Sequence, residues 1–398
     1  MKEFSSLLIS FIIMGLADSV DAFFNNAISI DTIIVCGSMF TMQLLFRSIG
    51  EMGIYTYRTV RKNEWQYLNV NIILSLIVGI FVFFSRNYIV NLFSITETQK
   101  GLLVSILSIY VLYLIIGRVS NALFEITRLK GDLKTYNKSL VLFYVSLIFL
   151  DFIFFITTKN LILLFIATII SWVIVIIYML AKLKLKFELP TVETLKNVKK
   201  YGIPTTLERL LSRLFILVYG VIASHLGIDK YSIHTICYSV CLSLEIITNA
   251  YNAALMIKIP EEKDKSKQFL NAKNYRKKFF WAIILLNFIF SFVYLFVSHG
   301  SLPLNKCFPY IIIYSTSVFG LINYETYKAI CVVQGKQKIL LLGSTIGALI
   351  RVIICLLFIN TSINLYIFGI VNAIDFYIRS IVYKSKLEEN KKIIKQNV

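Results

Sequence analysis

Long runs of apolar residues, separated by short polar turns, recur along the whole chain. A helix needs about 20 such residues to cross a bilayer. Runs of that size fall at 5–25, 32–55, 66–86, 101–126, 138–157, 160–181, 203–226, 230–257, 278–297, 308–333, 339–358 and 362–383. The pattern predicts an all-α membrane protein with twelve transmembrane helices. Polar and charged residues make the second, eighth and tenth runs the least clean. The opening stretch, MKEFSSLLISFIIMGLADSV, has no small-x-small cleavage site and runs directly into acidic residues. It therefore reads as the first span, not as a signal peptide.

Composition agrees with the pattern. A chain of 398 residues would normally suggest two or three soluble domains. However, 57% of the residues are hydrophobic and only 16% charged, against about 25% charged in soluble proteins. This excludes a soluble enzyme, a nucleic-acid-binding protein and a secreted disulfide scaffold. The six cysteines, Cys36, Cys237, Cys241, Cys307, Cys331 and Cys355, lie in or beside apolar runs without a CxxC pair, and read as small hydrophobes.

The net charge of +19 is explained by where the charges fall. With the N-terminus inside, the inner turns hold Arg58, Arg61 and Lys62, then Arg128 to Lys138, Lys182 to Lys200, Lys258 to Lys278, Lys336, Lys338 and a Lys-rich tail. The outer turns hold Arg86, Lys100, Lys159, Lys230 and Lys306. That asymmetry predicts a multi-pass protein of the cytoplasmic membrane with both termini inside. Its partners are then the bilayer and a small molecule, not nucleic acid, and a monomer is expected.

The chain divides into two halves: residues 1–185 with six spans, a charged linker at 186–200, and residues 201–398 with six more. Two stretches are similar between the halves. SIDTIIVCGSM (29–39) matches GIDKYSIHTICYS (227–239), and RLKGDLKTYNKSLV (128–141) matches VQGKQKILLLGS (333–344). Each pair follows the first or fourth span of its half, as in transporters built from repeats.

Ionisable residues inside spans are costly, about 2.5–3.5 kcal/mol each on insertion scales, so each needs a reason. Asp18, Asp21 and Asn25 share one face of the first span at i, i+3 and i+7. They are candidates to face a cavity and bind H⁺ or Na⁺; the bland alternative is a salt bridge to a buried Arg or a helix end near Asp21. Asp151, alone in VSLIFLDFIFFI, is a candidate proton carrier or a hydrogen-bonded structural acid. Glu208, Arg209, Ser212 and Arg213 stand near the start of the seventh span, and Arg213 is the deepest. On the eighth span His234, Cys241, Glu245, Thr248 and Asn252 form one polar stripe. Asn25, Glu208, Arg213, His234 and Glu245 are the candidate substrate-cavity residues. Arg47, Glu51, Arg118, Glu125, Glu325, Lys328, Arg351, Asp375 and Arg379 are further charges within or at the ends of spans. No ATPase loop, GxSxG, HExxH or DDxxD is present, so no enzyme and no metal or organic cofactor is expected.

Several of these stretches resemble the multidrug and toxic compound extrusion (MATE) family, in the superfamily that also contains oligosaccharide-lipid flippases. They are YGIPTTLERLLSRLFILVYGVIASHLGIDKYSIHTI (201–236), NAIDFYIRSIVYKSKL (372–387), SVDAFFNNAISIDTIIVCGSM (19–39), RLKGDLKTYN (128–137), LIFLDFIFF (147–155) and ATIIS (167–171). The resemblance implies two pseudo-symmetric six-helix lobes forming a V. It implies antiport of amphiphilic, cationic compounds against H⁺ or Na⁺. The family's cation site uses a first-helix Asp, an Asn and an Asp one turn apart on the fifth helix, and a sixth-helix Thr. Those positions carry Asp21, Leu147, Asp151 and Thr168 here, so leucine replaces the amide. Asp18 stands beside them. The expected function is secondary-active export. The alternatives are flipping of a lipid-linked oligosaccharide, for which the arginines suit a pyrophosphate, and a family member that no longer transports.

Overall fold

The structure, a computed structural model, describes residues 2–396 except 263, 359, 360, 362 and 363. Among them there is no strand. The helices in chain order are α1 (Lys2–Ala27), α2 (Ile30–Gly50), α3 (Met52–Val60), α4 (Glu64–Val90), α5 (Glu97–Leu129), α6 (Leu133–Thr157), α7 (Leu161–Leu183), α8 (Val192–Asn197), α9 (Ile203–His225), α10 (Ile228–Lys258), α11 (Lys265–Ser298), α12 (Leu304–Ser315), α13 (Ser317–Val333), α14 (Gln337–Phe358) and α15 (Asn364–Gln396). Each of the twelve predicted spans falls on a helix or a broken pair. Among the described residues ten helices are long and apolar enough to cross a bilayer, and the bent pair α12–α13, taken as one span, makes an eleventh. The 23-residue α9 fits in length but carries Glu208, Arg209 and Arg213. The chain is an all-helical, multi-pass membrane protein.

Side-chain chemistry sets the helix ends. Ser29 and Thr96 cap α2 and α5 in capping boxes with Thr32 and Gln99, satisfying backbone N–H groups that a helix start leaves open. Asp132 caps α6 by accepting from the Thr135 N–H at 3.0 Å. The helices α5 and α13 end in the same turn. Gly131 and Gly335 take positive φ values of 78° and 71°, a region that L side chains avoid. The N–H groups of Gly131 and Asp132 donate to the carbonyls of Arg128 and Thr127. Those of Gly335 and Lys336 donate to Val332 and Cys331. The similarity of 128–141 to 333–344 is thus a shared backbone conformation.

Two predicted spans are broken. The second stops at Glu51, which ends α2 and begins α3. The tenth bends by 40° between α12 and α13, and α12 contains Pro309, which removes a helix hydrogen bond.

The described chain packs as two units. The larger holds residues 13–236 and 294–307. In it α4 and α6 flank α5 and α7, and α9 lies along α2. Small residues let these helices approach closely: Gly117 faces the Trp172 ring, and Gly220 faces Thr41. The segment between α7 and α9 is tied to α4. Gln66 donates to Glu188 at 3.0 Å, Asn69 donates to the Glu188 carbonyl at 2.8 Å, and Thr194 bonds Gln66. The other unit holds residues 1–12, 237–293 and 308–398. There α15 packs against both α13 and α14. Both units expose large apolar side chains such as Phe84, Phe149, Trp281, Phe296 and Leu356, a surface suited to acyl chains.

Candidate functional site

Within the larger unit, α1 presents Asp18, Asp21 and Asn25 as half-buried groups, and the helix continues to Ala27. Asn25 donates its amide to Asp21 Oδ1 at 3.2 Å and to the Asp21 carbonyl at 2.9 Å. From α6, Asp151 is fully buried and its carboxyl adjoins that of Asp21. No N–H donor, and no hydroxyl, among the described residues hydrogen-bonds the Asp151 oxygens. Two carboxyl groups can share a hydrogen bond only when one of them carries a proton. Tyr144, one helical turn before Leu147 and buried, sets its hydroxyl beside Asp18. Tyr113 on α5 lies within electrostatic reach of both α1 carboxylates. The candidate ion-pair partner for Asp18 does not materialise among the described residues: its neighbours are Asp21, Tyr144 and, further off, Arg47.

The remaining positions of the expected cation site differ. Leu147 is buried and apolar. Thr168 turns its hydroxyl to the Leu164 carbonyl of its own helix at 3.3 Å. The described polar groups at the Asp21 carboxyl are therefore the Asp151 carboxyl and the Asn25 amide nitrogen.

Rings pack beside the acids. Tyr113 meets Trp172 edge-on at 4.7 Å and stacks on Tyr110 at 5.9 Å. Phe143 lies parallel to Trp172 at 6.2 Å and contacts Tyr144 at 4.8 Å. Aromatic faces beside carboxylates are the usual surroundings of an organic cation.

A second cluster in the same unit is basic. Glu51, buried at the α2–α3 break, accepts from Arg47 Nε at 2.8 Å, from Arg118 Nη1 and from the Tyr55 hydroxyl at 2.7 Å. The hydrogen-bond network orients the Asn121 amide with its oxygen toward the arginines, accepting from Arg118 at 2.8 and 3.0 Å and from Arg47 at 3.2 Å. Arg209 from α9 lies over the Tyr55 ring at 4.5 Å. Arg58 and Arg128 converge on Glu125 in the same manner. In the sequence most of these charges stand far apart, and the i, i+4 spacing of Arg47 and Glu51 is a sign that they meet.

The predicted cavity residues spread out. Glu208 and His234 are buried in the larger unit. Arg213 is half-buried and makes no ion pair with a described residue. Glu245 belongs to the other unit, half-buried, one turn before buried Thr248. Asn252, on the same stripe, donates to the Glu325 carbonyl at 3.1 Å, and Glu325 pairs with Lys328 at 2.9 Å. The Cys241 side chain lies outside the described residues. In that unit Asp375 is fully buried between Arg351 and Arg379.

No protein-family model matches the chain, and no curated protein matches it. Solved structures do. An outward-facing multidrug resistance MATE family transporter of the MOP superfamily matches with a TM-score of 0.76 at 16% identity, covering 98% of this chain and 96% of that one. An inward-facing structure of such a transporter gives 0.68 at 16% identity, over 97% and 98%. A MOP superfamily transporter from Pyrococcus furiosus gives 0.78 at 17% identity, over 99% and 96%; reverse polarity of its binding pocket is said to suggest a different function. Along nearly its whole length, this chain has the fold of MATE transporters of the MOP superfamily.

Proposed function

We infer that the protein is a secondary-active exporter of amphiphilic, cationic small molecules, driven by inward movement of a cation through Asp21 and Asp151. The observation that carries this reading is the carboxyl pair, half-buried Asp21 against fully buried Asp151, in bilayer-length helices. Intramembrane acids of this sort mark proton relays. H⁺ is favoured over Na⁺ because Leu147 supplies no oxygen and Thr168 is bonded to its own helix. Antiport follows from competition. With the pair ionised, Asp21 and Asp18 attract an organic cation among Tyr113, Tyr144 and Trp172. When a proton arrives, that attraction falls and the cation leaves. Only such a differential affinity can couple two ligands.

Purified protein in proteoliposomes with an imposed pH gradient tests this. Accumulation of a fluorescent organic cation is expected for the wild type. Asp21→Asn and Asp151→Asn should each abolish it while the protein still inserts. Undiminished transport in both variants would overturn the role of the pair.

A second reading, movement of an anionic lipid-linked oligosaccharide, has one observation in its favour. Arg47 and Arg118 share the single carboxylate of Glu51, which leaves positive charge in the larger unit. Phosphate matches a guanidinium fork. Stimulation of transport by lipid pyrophosphates rather than by organic cations would favour it.

A further inference from the structure

The connection between α7 and α9 is apolar where a water-facing loop would be polar. It leaves the last residue of one span, Leu183, and is held against the first turns of another, α4. Gln66 and Asn69 of α4 hold Glu188, Thr194 bonds Gln66, and Asn197 donates to the Tyr67 hydroxyl at 3.3 Å. These bonds fix the connection at the level where the two spans leave the hydrocarbon.

Polar side chains of the connection turn to α4, and apolar ones turn away. Phe187 and Leu189 are each 69% exposed, while Glu188 between them bonds α4. In the short helix α8 Thr194 is buried, whereas Val192 and Leu195, three residues apart on one face, are 71% and 57% exposed. The Phe187 ring lies 5.6 Å from that of Trp65 in the first turn of α4. Tryptophan at a span end marks the membrane–water interface. This exposure is particular to the connection. The turns at 61–63, 130–132 and 334–336 also carry lysine, yet expose no large apolar side chain.

Charge indicates what covers this face. Residues 182–200 hold six lysines against two glutamates. Lys184, Lys186 and Lys196 border the apolar residues and are exposed, and Glu188 is engaged with α4. Lysine is depleted from protein–protein interfaces. Lysines mixed with apolar side chains at the edge of a bilayer match an anionic leaflet instead: acyl chains take the apolar groups, and headgroups take the ammonium groups. We propose that residues 184–196 form an in-plane anchor for anionic phospholipid. Phe187, Leu189, Val192 and Leu195 enter the top of the acyl chains, and the three lysines lie among headgroup phosphates. The anchor sits on the connection between the two six-span halves of the sequence, and it stands whatever the protein transports.

Nitroxide quenching in vesicles provides the test. On a cysteine-free background, Leu189→Cys or Lys186→Cys carries the fluorophore NBD. The quencher is phosphatidylcholine with a nitroxide near the top of its acyl chain. In mixed phosphatidylcholine–phosphatidylglycerol vesicles, quenching at 189 should exceed that at 186 at least threefold. Lys184→Gln with Lys196→Gln should lower quenching at 189 to its level in pure phosphatidylcholine. Weak and equal quenching at the two positions would overturn the anchor in favour of a protein partner or a second copy. Equal quenching at 189 with and without phosphatidylglycerol would overturn the anionic preference. If removal of the cysteines prevents folding, hydrogen exchange of the unmodified protein in nanodiscs serves. The amides at 185–189, outside any helix, should exchange at least fivefold more slowly with phosphatidylglycerol than without it. Identical rates would overturn the proposal.

Discussion

At Leu147 one side chain bears on the identity of the driving ion. It is buried one helical turn before Asp151, where an amide would place an oxygen near the carboxyl pair. Sodium requires several oxygen ligands; a proton requires one base. Leu147→Asn is therefore expected to add Na⁺ dependence to transport, read as cation accumulation under a Na⁺ gradient without a pH gradient. The variant also buries a new amide and should lose about 1–3 kcal/mol of stability if that amide finds no partner. The carboxylates were legible in the sequence because charge is rare in apolar runs, whereas Leu147 stood out only through the resemblance to the family's fifth-helix pattern. Tyr144 was not: among 23 tyrosines nothing marks the one that turns to Asp18. Nor did the chain reveal that Arg47, Arg118 and Asn121 meet at Glu51, because residues from α2 and α5 become neighbours only after those helices pack.

At the scale of elements, caps and turns make two predictions. Asp132 stands outside the spans, and the Thr135 hydroxyl and N–H hold its carboxyl below its ordinary value. Because its folded value is depressed, the stability that it contributes is present at neutral pH and is lost as pH falls through the carboxylate range. Asp132→Ala should lower thermal stability by about 1 kcal/mol at pH 7. The gap from wild type should shrink below about pH 4, as followed by melting in detergent. Gly131→Ala and Gly335→Ala force an L side chain into a left-handed backbone and should each cost about 1–2 kcal/mol. No neighbour crowds a Cβ at Gly131, so conformation alone accounts for the loss there. The helices themselves were plain in the sequence, since apolar runs of bilayer length have few alternatives. The break at Glu51 was hidden because Arg47, Glu51 and Tyr55 keep helical spacing across it.

For the molecule as a whole, charge asymmetry predicts orientation. The turns at 130–132 and 334–336 should face the cytoplasm, and those at 158–160 and 299–303 the outside. Single cysteines placed in these turns on a cysteine-free background test it. In intact cells a membrane-impermeant maleimide should label Lys159→Cys and spare Lys130→Cys and Lys336→Cys; the opposite pattern would invert the topology.

The matched bends after α5 and α13 also give the chain a ruler. Ten residues before Gly131 stands Asn121, the amide that bridges two arginines; ten residues before Gly335 stands Glu325, which holds Lys328. The same distance before each bend thus carries a neutral bridge in one place and an anionic one in the other. Exchanging them, Asn121→Glu with Glu325→Asn, moves one negative charge from one place to the other at constant total charge. The polypeptide supplies its own isoelectronic control for asking how lopsided its wiring has to be.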